Sequence, residues 1–163
     1  MNKSVFENHP KFWVQEYQLK PISMKDLNEI EELCSYYPPE RRRTGKELID
    51  IIDKEYKEQS GINWGIYLKD ELVGTIGFYR GFEKNQGELG YVLREQFRNK
   101  GIGSACARVL TQIGFSKMEL DAIEAFTAID NEASKKLLIS SGFSRIDHKD
   151  PKTAAFRIEN DRS

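Results

Sequence analysis

The seven residues Arg98-Asn99-Lys100-Gly101-Ile102-Gly103-Ser104 constrain this chain more than any other stretch. They follow a strand-like segment, Glu88 to Leu93, with Leu89, Tyr91 and Leu93 on one side. They lead into a helix-like one, Gly101 to about Lys117, with Ile102, Cys106, Val109 and Ile113 on one face. Glycines at a helix start let backbone approach a ligand without Cβ obstruction. The unbonded N–H groups there point outward, and the helix dipole favours an anion. Arg98 and Lys100 add positive charge, so the stretch reads as a diphosphate cradle. The same residues also suit a plain tight strand-to-helix turn. They do not form a P-loop, because no Lys-Ser/Thr pair follows the second glycine. Nor do they form a dinucleotide fingerprint: a third glycine is missing, and the preceding strand is not the first of a βαβ unit.

The flanking sequence sets the class of fold. Tyr17 to Ile22 reads as a first strand, and Ser23-Met24-Lys25-Asp26 as a capping box opening a helix with Leu27, Ile30, Leu33 and Cys34 in one stripe. Pro38-Pro39 ends it. Thr44-Gly45-Lys46-Glu47 is a second capping box, with Leu48, Ile51, Ile52 and Tyr56 behind it. Ile62, Trp64, Ile66 and Leu68 alternate with Asn63, Gly65, Tyr67 and Lys69, which is the period of a strand. The turn Lys69-Asp70-Glu71 joins it to a second strand, Leu72 to Tyr79. After the glycine-rich turn and its helix come a strand, Ile123 to Ile129, and a helix, Asn131 to Ser141, stopped by Gly142. Two final strands, Phe143 to Asp147 and Thr153 to Ile158, flank a loop with Pro151. The order β-α-α-β-β-β-α-β-α-β-β is an α/β (α+β) mixture around a mixed sheet.

Composition bounds the function. A chain of 163 residues suits one domain. Its net charge of −1 argues against general nucleic-acid binding. No run is long enough to span a bilayer, and residues 1–13 carry no secretory h-region, so a cytoplasmic protein is expected. Cys34 and Cys106 fall in different helices, which suits two reduced thiols rather than a disulfide or a metal site. His9 and His148 are isolated, so no metal is expected. No coiled-coil seam is visible, which leaves monomer and homodimer both open.

The specific blocks point further. Arg98-x-x-Gly101-x-Gly103 follows Glu88-Leu89-Gly90-Tyr91-Val92-Leu93. Downstream stand Asp130-Asn131-Glu132-Ala133-Ser134, then Leu137-Leu138 and Ser141-Gly142-Phe143. From Tyr17 to Ile158 the chain resembles the GNAT acetyltransferases, and these blocks resemble the branch that acetylates N-termini of ribosomal proteins. It carries Ser104-Ala105-Cys106-Ala107 where that branch typically has Thr-Glu-Ala after the glycine turn.

The resemblance implies a single domain with a mostly antiparallel sheet of about six to seven strands and about four helices. It implies acetyl-CoA as cosubstrate and a primary amine as acceptor, either a protein N-terminus or a small molecule. Backbone groups of Val92, Leu93 and Arg94 would pair with the pantetheine arm like an added strand. The N–H groups of Arg98, Asn99, Lys100, Gly101, Ile102, Gly103 and Ser104 would hold the diphosphate. Asn131 would bond the pantetheine, and Ser134 would sit near the sulfur. Tyr36 and Tyr37, after the first helix, and Trp64 could wall the acceptor side, or be ordinary core and rim aromatics.

Acyl transfer to an amine requires the amine to lose a proton, usually to a carboxylate. Glu88 opens the strand lining the site and is the preferred base; a solvated strand-end carboxylate is the plainer alternative. Ser134 and Tyr91 are candidate proton donors or orienters, beside the simpler roles of helix-start hydroxyl and core aromatic. Asn131 also suits a plain N-cap. With no Cys–His or Ser–His–Asp set, direct transfer is expected rather than an acyl-enzyme. Two other readings stay open: a non-catalytic acetyl-CoA-binding module, and a nucleotide-binding α/β domain.

Overall fold

In the computed structural model, which describes residues 1–162, eight strands form one sheet. A short helix, α1 (Ser4–Glu7), precedes the hairpin β1 (Phe12–Val14) and β2 (Tyr17–Lys20). Then come α2 (Leu27–Cys34), α3 (Gly45–Glu58), β3 (Ile62–Leu68), β4 (Glu71–Tyr79) and β5 (Gln86–Leu93). Helix α4 (Ile102–Ser116), β6 (Ala122–Ala128), α5 (Glu132–Ser140), β7 (Ser144–Ile146) and β8 (Thr153–Glu159) complete the chain. The strand order is β1-β2-β3-β4-β5-β6-β8-β7, antiparallel throughout except for the parallel β5–β6 pair. This is the expected mixed, mostly antiparallel α/β sheet. It has one more strand and one more helix than the sequence patterns indicate. The additions, α1 and β1, lie within residues 1–14, where the sequence patterns place no element.

Both capping boxes form. Thr44 Oγ1 accepts from the Glu47 N–H while Glu47 Oε1 accepts from the Thr44 N–H, satisfying donors that the helix start leaves free. The Ser23 box opens a 3-10 turn, Met24–Asp26, that leads into α2. Asp26 is buried there and accepts the Tyr67 hydroxyl at 2.7 Å. At the far end of α2, Arg42 donates to the carbonyls of Ser35 (2.9 Å) and Tyr37 (2.8 Å). That guanidinium is therefore a helix cap rather than a free charge.

The alternation in β3 is real, but neither face meets water. Ile62, Trp64 and Ile66 pack into the main core with Cys106 and Leu110 of α4. Tyr67 joins Ile30, Leu33 and Cys34 of α2 and Ile49 of α3 on the other side. Helices cover both faces, so the strand is buried along almost all its length. On α3 the sequence stripe omits Ile49, yet Ile49 is its deepest apolar side chain. No helix among the described residues is long and apolar enough to cross a membrane.

The N-terminal segment is docked by aromatic packing. His9 stacks on Tyr56 with ring centroids 5.0 Å apart and meets the Trp64 ring edge-on, and Trp64 Nε1 donates to the Pro10 carbonyl. Burial lowers the His9 pKa from 6.5 to about 4, against the opposing effect of a hydrogen bond to the Asn63 backbone; Lys11 lowers it further. His9 Nε2 is buried without a partner. The unfolded chain therefore takes up a proton that the folded chain refuses. Stability is complete above pH 6.5 and falls as pH drops toward 4. The loss should be on the order of 2 kcal/mol, after allowance for the ring's partial exposure. His9→Phe, which cannot titrate, should flatten the slope in denaturant melts across that window; an unchanged slope would clear His9 of the effect.

Candidate functional site

The sheet opens at its one parallel pair. Strand β5 runs beside β4 along its length, from the rung Tyr79–Glu88 to the rung Gly74–Leu93. Its pairing with β6 covers only Gln86–Ala122, Gly87–Ile123 and Glu88–Glu124. Beyond Glu88 the two strands part, so β5 has an unpaired edge over 89–93 and β6 has one over 125–128. In an antiparallel ladder, successive residues turn their backbone groups to opposite sides. The Arg94 N–H donates to the Val73 carbonyl (2.9 Å), which turns Arg94 and Val92 toward β4. Tyr91 and Leu93 therefore face the gap. Of the expected pantetheine-pairing set of Val92, Leu93 and Arg94, Leu93 turns its backbone groups to the gap, whereas Val92 and Arg94 turn theirs to β4. The Arg94 carbonyl accepts from the Phe97 N–H, and the Leu93 carbonyl accepts from Arg98 Nε (3.0 Å).

At the mouth of the gap stands the start of α4. Asn99 and Gly101 adopt left-handed backbone, with φ of 62° and 80°. The first helical hydrogen bond runs from the Ala105 N–H to the Gly101 carbonyl (3.1 Å). The N–H groups of Ile102, Gly103 and Ser104 thus precede any intrahelical acceptor, and no side chain caps them. The contrast with α3 and α5 is direct, since Thr44 and Asn131 cap those helices.

The two glycines act differently. A Cβ on Gly101 would meet nothing within 4 Å, so that glycine serves the left-handed turn and faces open space. A Cβ on Gly103 would stand 2.6 Å from Leu137 Cδ1. Gly103 therefore provides clearance for α5, a packing need that the sequence alone does not show. Arg98 folds back: its Nε donates to the Leu93 carbonyl (3.0 Å), and its guanidinium lies 4.7 Å over the Tyr36 ring. Lys100 stays exposed, 5.7 Å from the Phe97 ring.

Tyr36 belongs to this scaffold. Its hydroxyl donates to Glu32 Oε2 (2.8 Å) and accepts from the Glu95 N–H (3.1 Å). Glu32 in turn pairs with Arg94 at 2.8 Å, and Arg94 also reaches Glu71 and the Leu72 carbonyl. These contacts fasten the end of α2 to the β5–α4 turn. Tyr37 is 46% exposed on the adjoining surface. Trp64 leaves the acceptor wall altogether, because it is fully buried on the α4 side of the sheet.

Two groups proposed from sequence as proton donors meet across the gap. The Tyr91 hydroxyl, on β5, lies 2.5 Å from Ser134 Oγ in the first turn of α5. Asn131 Oδ1 accepts the Ser134 N–H at 3.1 Å and so fixes where that turn begins. Burial pushes the Tyr91 pKa up, so its hydroxyl keeps its proton. Glu88 stands at the vertex, on the opposite sheet face. Burial raises its pKa, Arg80 opposes the rise, and Glu124 adds to it. Arg80 Nη1 approaches Glu88 Oε2 at 3.2 Å. A carboxylate with raised proton affinity on one face and a protonated phenol on the other suit base and acid work. Sequence reasoning missed Arg80, Glu124 and Arg157. A glutamate inside the otherwise apolar run Ile123-Glu124-Ala125-Phe126 was the available signal.

A sheet opened between two parallel strands, with an uncapped helix end at its mouth, suits a long ligand that lies edge-on and carries an anion. Comparison with known proteins agrees. The Acetyltransferase (GNAT) domain family matches residues 17–144, and the chain belongs to that family of N-acetyltransferases. It is an acetyltransferase whose cosubstrate is acetyl-CoA. The Bacillus subtilis protein YoaA, an uncharacterized N-acetyltransferase, is 37% identical over 140 residues, 78% of each chain. The fold matches RimL, a ribosomal L7/L12 alpha-N-protein acetyltransferase solved with coenzyme A. Its TM-score is 0.80 at 14% identity, covering 94% of this chain and all of that one. It also matches a Vibrio cholerae spermidine N-acetyltransferase solved with CoA and spermine. There the TM-score is 0.75 at 15% identity, covering 89% and 96%.

Proposed function

We propose that this chain transfers the acetyl group of acetyl-CoA directly to a primary amine. The diphosphate rests on the N–H groups at the start of α4, and the pantetheine adds as a strand along Tyr91 and Leu93. The observation that carries the reading is the parting of β5 and β6 beyond Glu88–Glu124, with Tyr91–Ser134 on one face and Glu88 at the vertex. Glu88 takes one proton from the acceptor ammonium and passes it to solvent. The freed amine attacks the thioester carbonyl, the carbon–sulfur bond breaks, and the departing sulfur takes a proton from Tyr91. Tyr91 recovers its proton from the nitrogen of the new amide through Ser134 and solvent. No acyl-enzyme is needed. Cys34 and Cys106 are both buried, and burial raises both thiols, Cys106 to about 12, which leaves no thiolate nucleophile.

Fold does not select an acceptor. The structural neighbours act on ribosomal protein and on spermidine by their descriptions, and both acceptor classes are amines. Purified protein should release CoA thiol from acetyl-CoA on addition of one member of a panel of peptides, amino acids and polyamines. Absence of turnover with every member, despite saturable acetyl-CoA binding, would favour a non-catalytic acetyl-CoA-binding module. Tyr91→Phe should lower kcat by about tenfold to a hundredfold, with little change in acetyl-CoA affinity. An unchanged kcat would remove Tyr91 as the acid.

A further inference from the structure

Charged side chains form a row across the sheet face that carries Glu88, and strand register sets it. Glu88 opposes Glu124 in the β5–β6 pair, and Glu124 opposes Arg157 in the β6–β8 pair. Neighbouring strands lie about 4.8 Å apart, and side chains at paired positions share a face. Arg80 closes one end of the row, 3.2 Å from Glu88. Arg157 closes the other, with Nη1 3.1 Å from Glu124 Oε1 and Nε 2.6 Å from Glu159 Oε1. The order is cation, carboxylate, carboxylate, cation, carboxylate. The like-charged pair in the middle is the unexpected part, because opposed like charges destabilise a sheet. The pair is also well covered: the side chains of Glu88 and Glu124 are 24% and 25% exposed.

The two arginines are unequal. The Arg80 side chain is 79% exposed, so water screens its hold on Glu88. Arg157 is 25% exposed and is gripped by two carboxylates, which fixes Glu124 beside its neighbour. The groups that face Glu88 are Tyr79, its partner across β4, then Arg80 and Glu124.

We propose that Glu124, clamped by Arg157, is a positioning residue for the reaction. Its fixed charge beside Glu88 makes Glu88 a stronger proton acceptor for an ammonium substrate. The proposal rests on the reading of Glu88 as the base. The direction of the Glu88 shift agrees, since Glu124 adds to the effect of burial. The acidic limb of the rate profile therefore reports Glu88 under the influence of the neighbouring Glu124.

Two readouts test this and separate it from the base assignment. One is the carboxyl ¹³C NMR titration of Glu88 in the ligand-free protein. The other is the pH profile of kcat/KM with an amine that the wild type acetylates. Glu124→Gln should lower the Glu88 midpoint and the acidic limb together, by about half to one pH unit. Arg157→Gln, which releases Glu124 from its clamp, should shift both in the same direction by a smaller amount, and Arg157→Lys should keep wild-type values. Should Arg157→Gln fail to fold, Glu124→Gln carries the test. A Glu88 midpoint that stays put in folded Glu124→Gln would overturn the proposal, and the base assignment would stand if Glu88→Gln still erases the limb. A midpoint that moves while the limb does not would overturn the base assignment itself.

Discussion

Glu88→Gln should lower kcat for amine acetylation by about a hundredfold to a thousandfold between the acidic limb of the wild-type profile and pH 8, while acetyl-CoA binds as before. Glutamine keeps the shape of the side chain and cannot accept a proton. The loss should therefore fall on chemistry rather than on folding. Because burial and Glu124 raise the Glu88 pKa, the wild-type rate should climb with pH from above the ordinary carboxylate range. Below that limb Glu88 is protonated and cannot serve as a base; above it the carboxylate is free to act. In Glu88→Gln the limb should vanish, and activity should recover only as pH approaches the acceptor amine's own pKa. Steady-state kinetics from pH 5 to 9.5 reads both effects. A variant with wild-type rate and an intact limb would mean that water or another group removes the proton.

Gly101→Asp should weaken acetyl-CoA binding by at least about a hundredfold, more than any other single change at the cofactor site. The space beside Gly101 is open, so a side chain there does not clash with the protein's own atoms. Charge is the dominant effect. A carboxylate would stand before the free N–H groups of Ile102, Gly103 and Ser104, competing for them and repelling a diphosphate. Gly101→Ala isolates the backbone contribution. With φ at 80°, alanine should cost about 1–2 kcal/mol of stability and reduce affinity far less. Titration calorimetry on the two variants separates charge from strain. Equal affinities would place the diphosphate elsewhere.

The sequence carried the framework of this site better than its details. The strand-to-helix turn was legible because Gly101 and Gly103 interrupt an otherwise periodic segment, and both capping boxes announce themselves by composition. The role of Gly103 was not legible. Its need for a missing Cβ comes from Leu137, 34 positions later in the chain and on another helix. Trp64 was misplaced for a related reason. Period-two alternation separates two faces of a strand without telling which face meets solvent, and in β3 neither does. The orientation of Val92 and Arg94 depends on which neighbour holds each backbone group, and a single strand read alone has no neighbours. The row through Glu124 and Arg157 is likewise a product of register between strands distant in sequence. The Tyr91–Ser134 contact joins residues whose chemistry was visible separately, but their meeting depends on how α5 packs over the gap.

A crystal structure with acetyl-CoA tests the central claim most directly. It should show the diphosphate within hydrogen-bonding distance of the N–H groups that open α4, and the pantetheine lying between β5 and β6 against Tyr91 and Leu93. A cofactor whose diphosphate sits away from that helix end, or a gap closed by pairing of β5 with β6, would contradict the account.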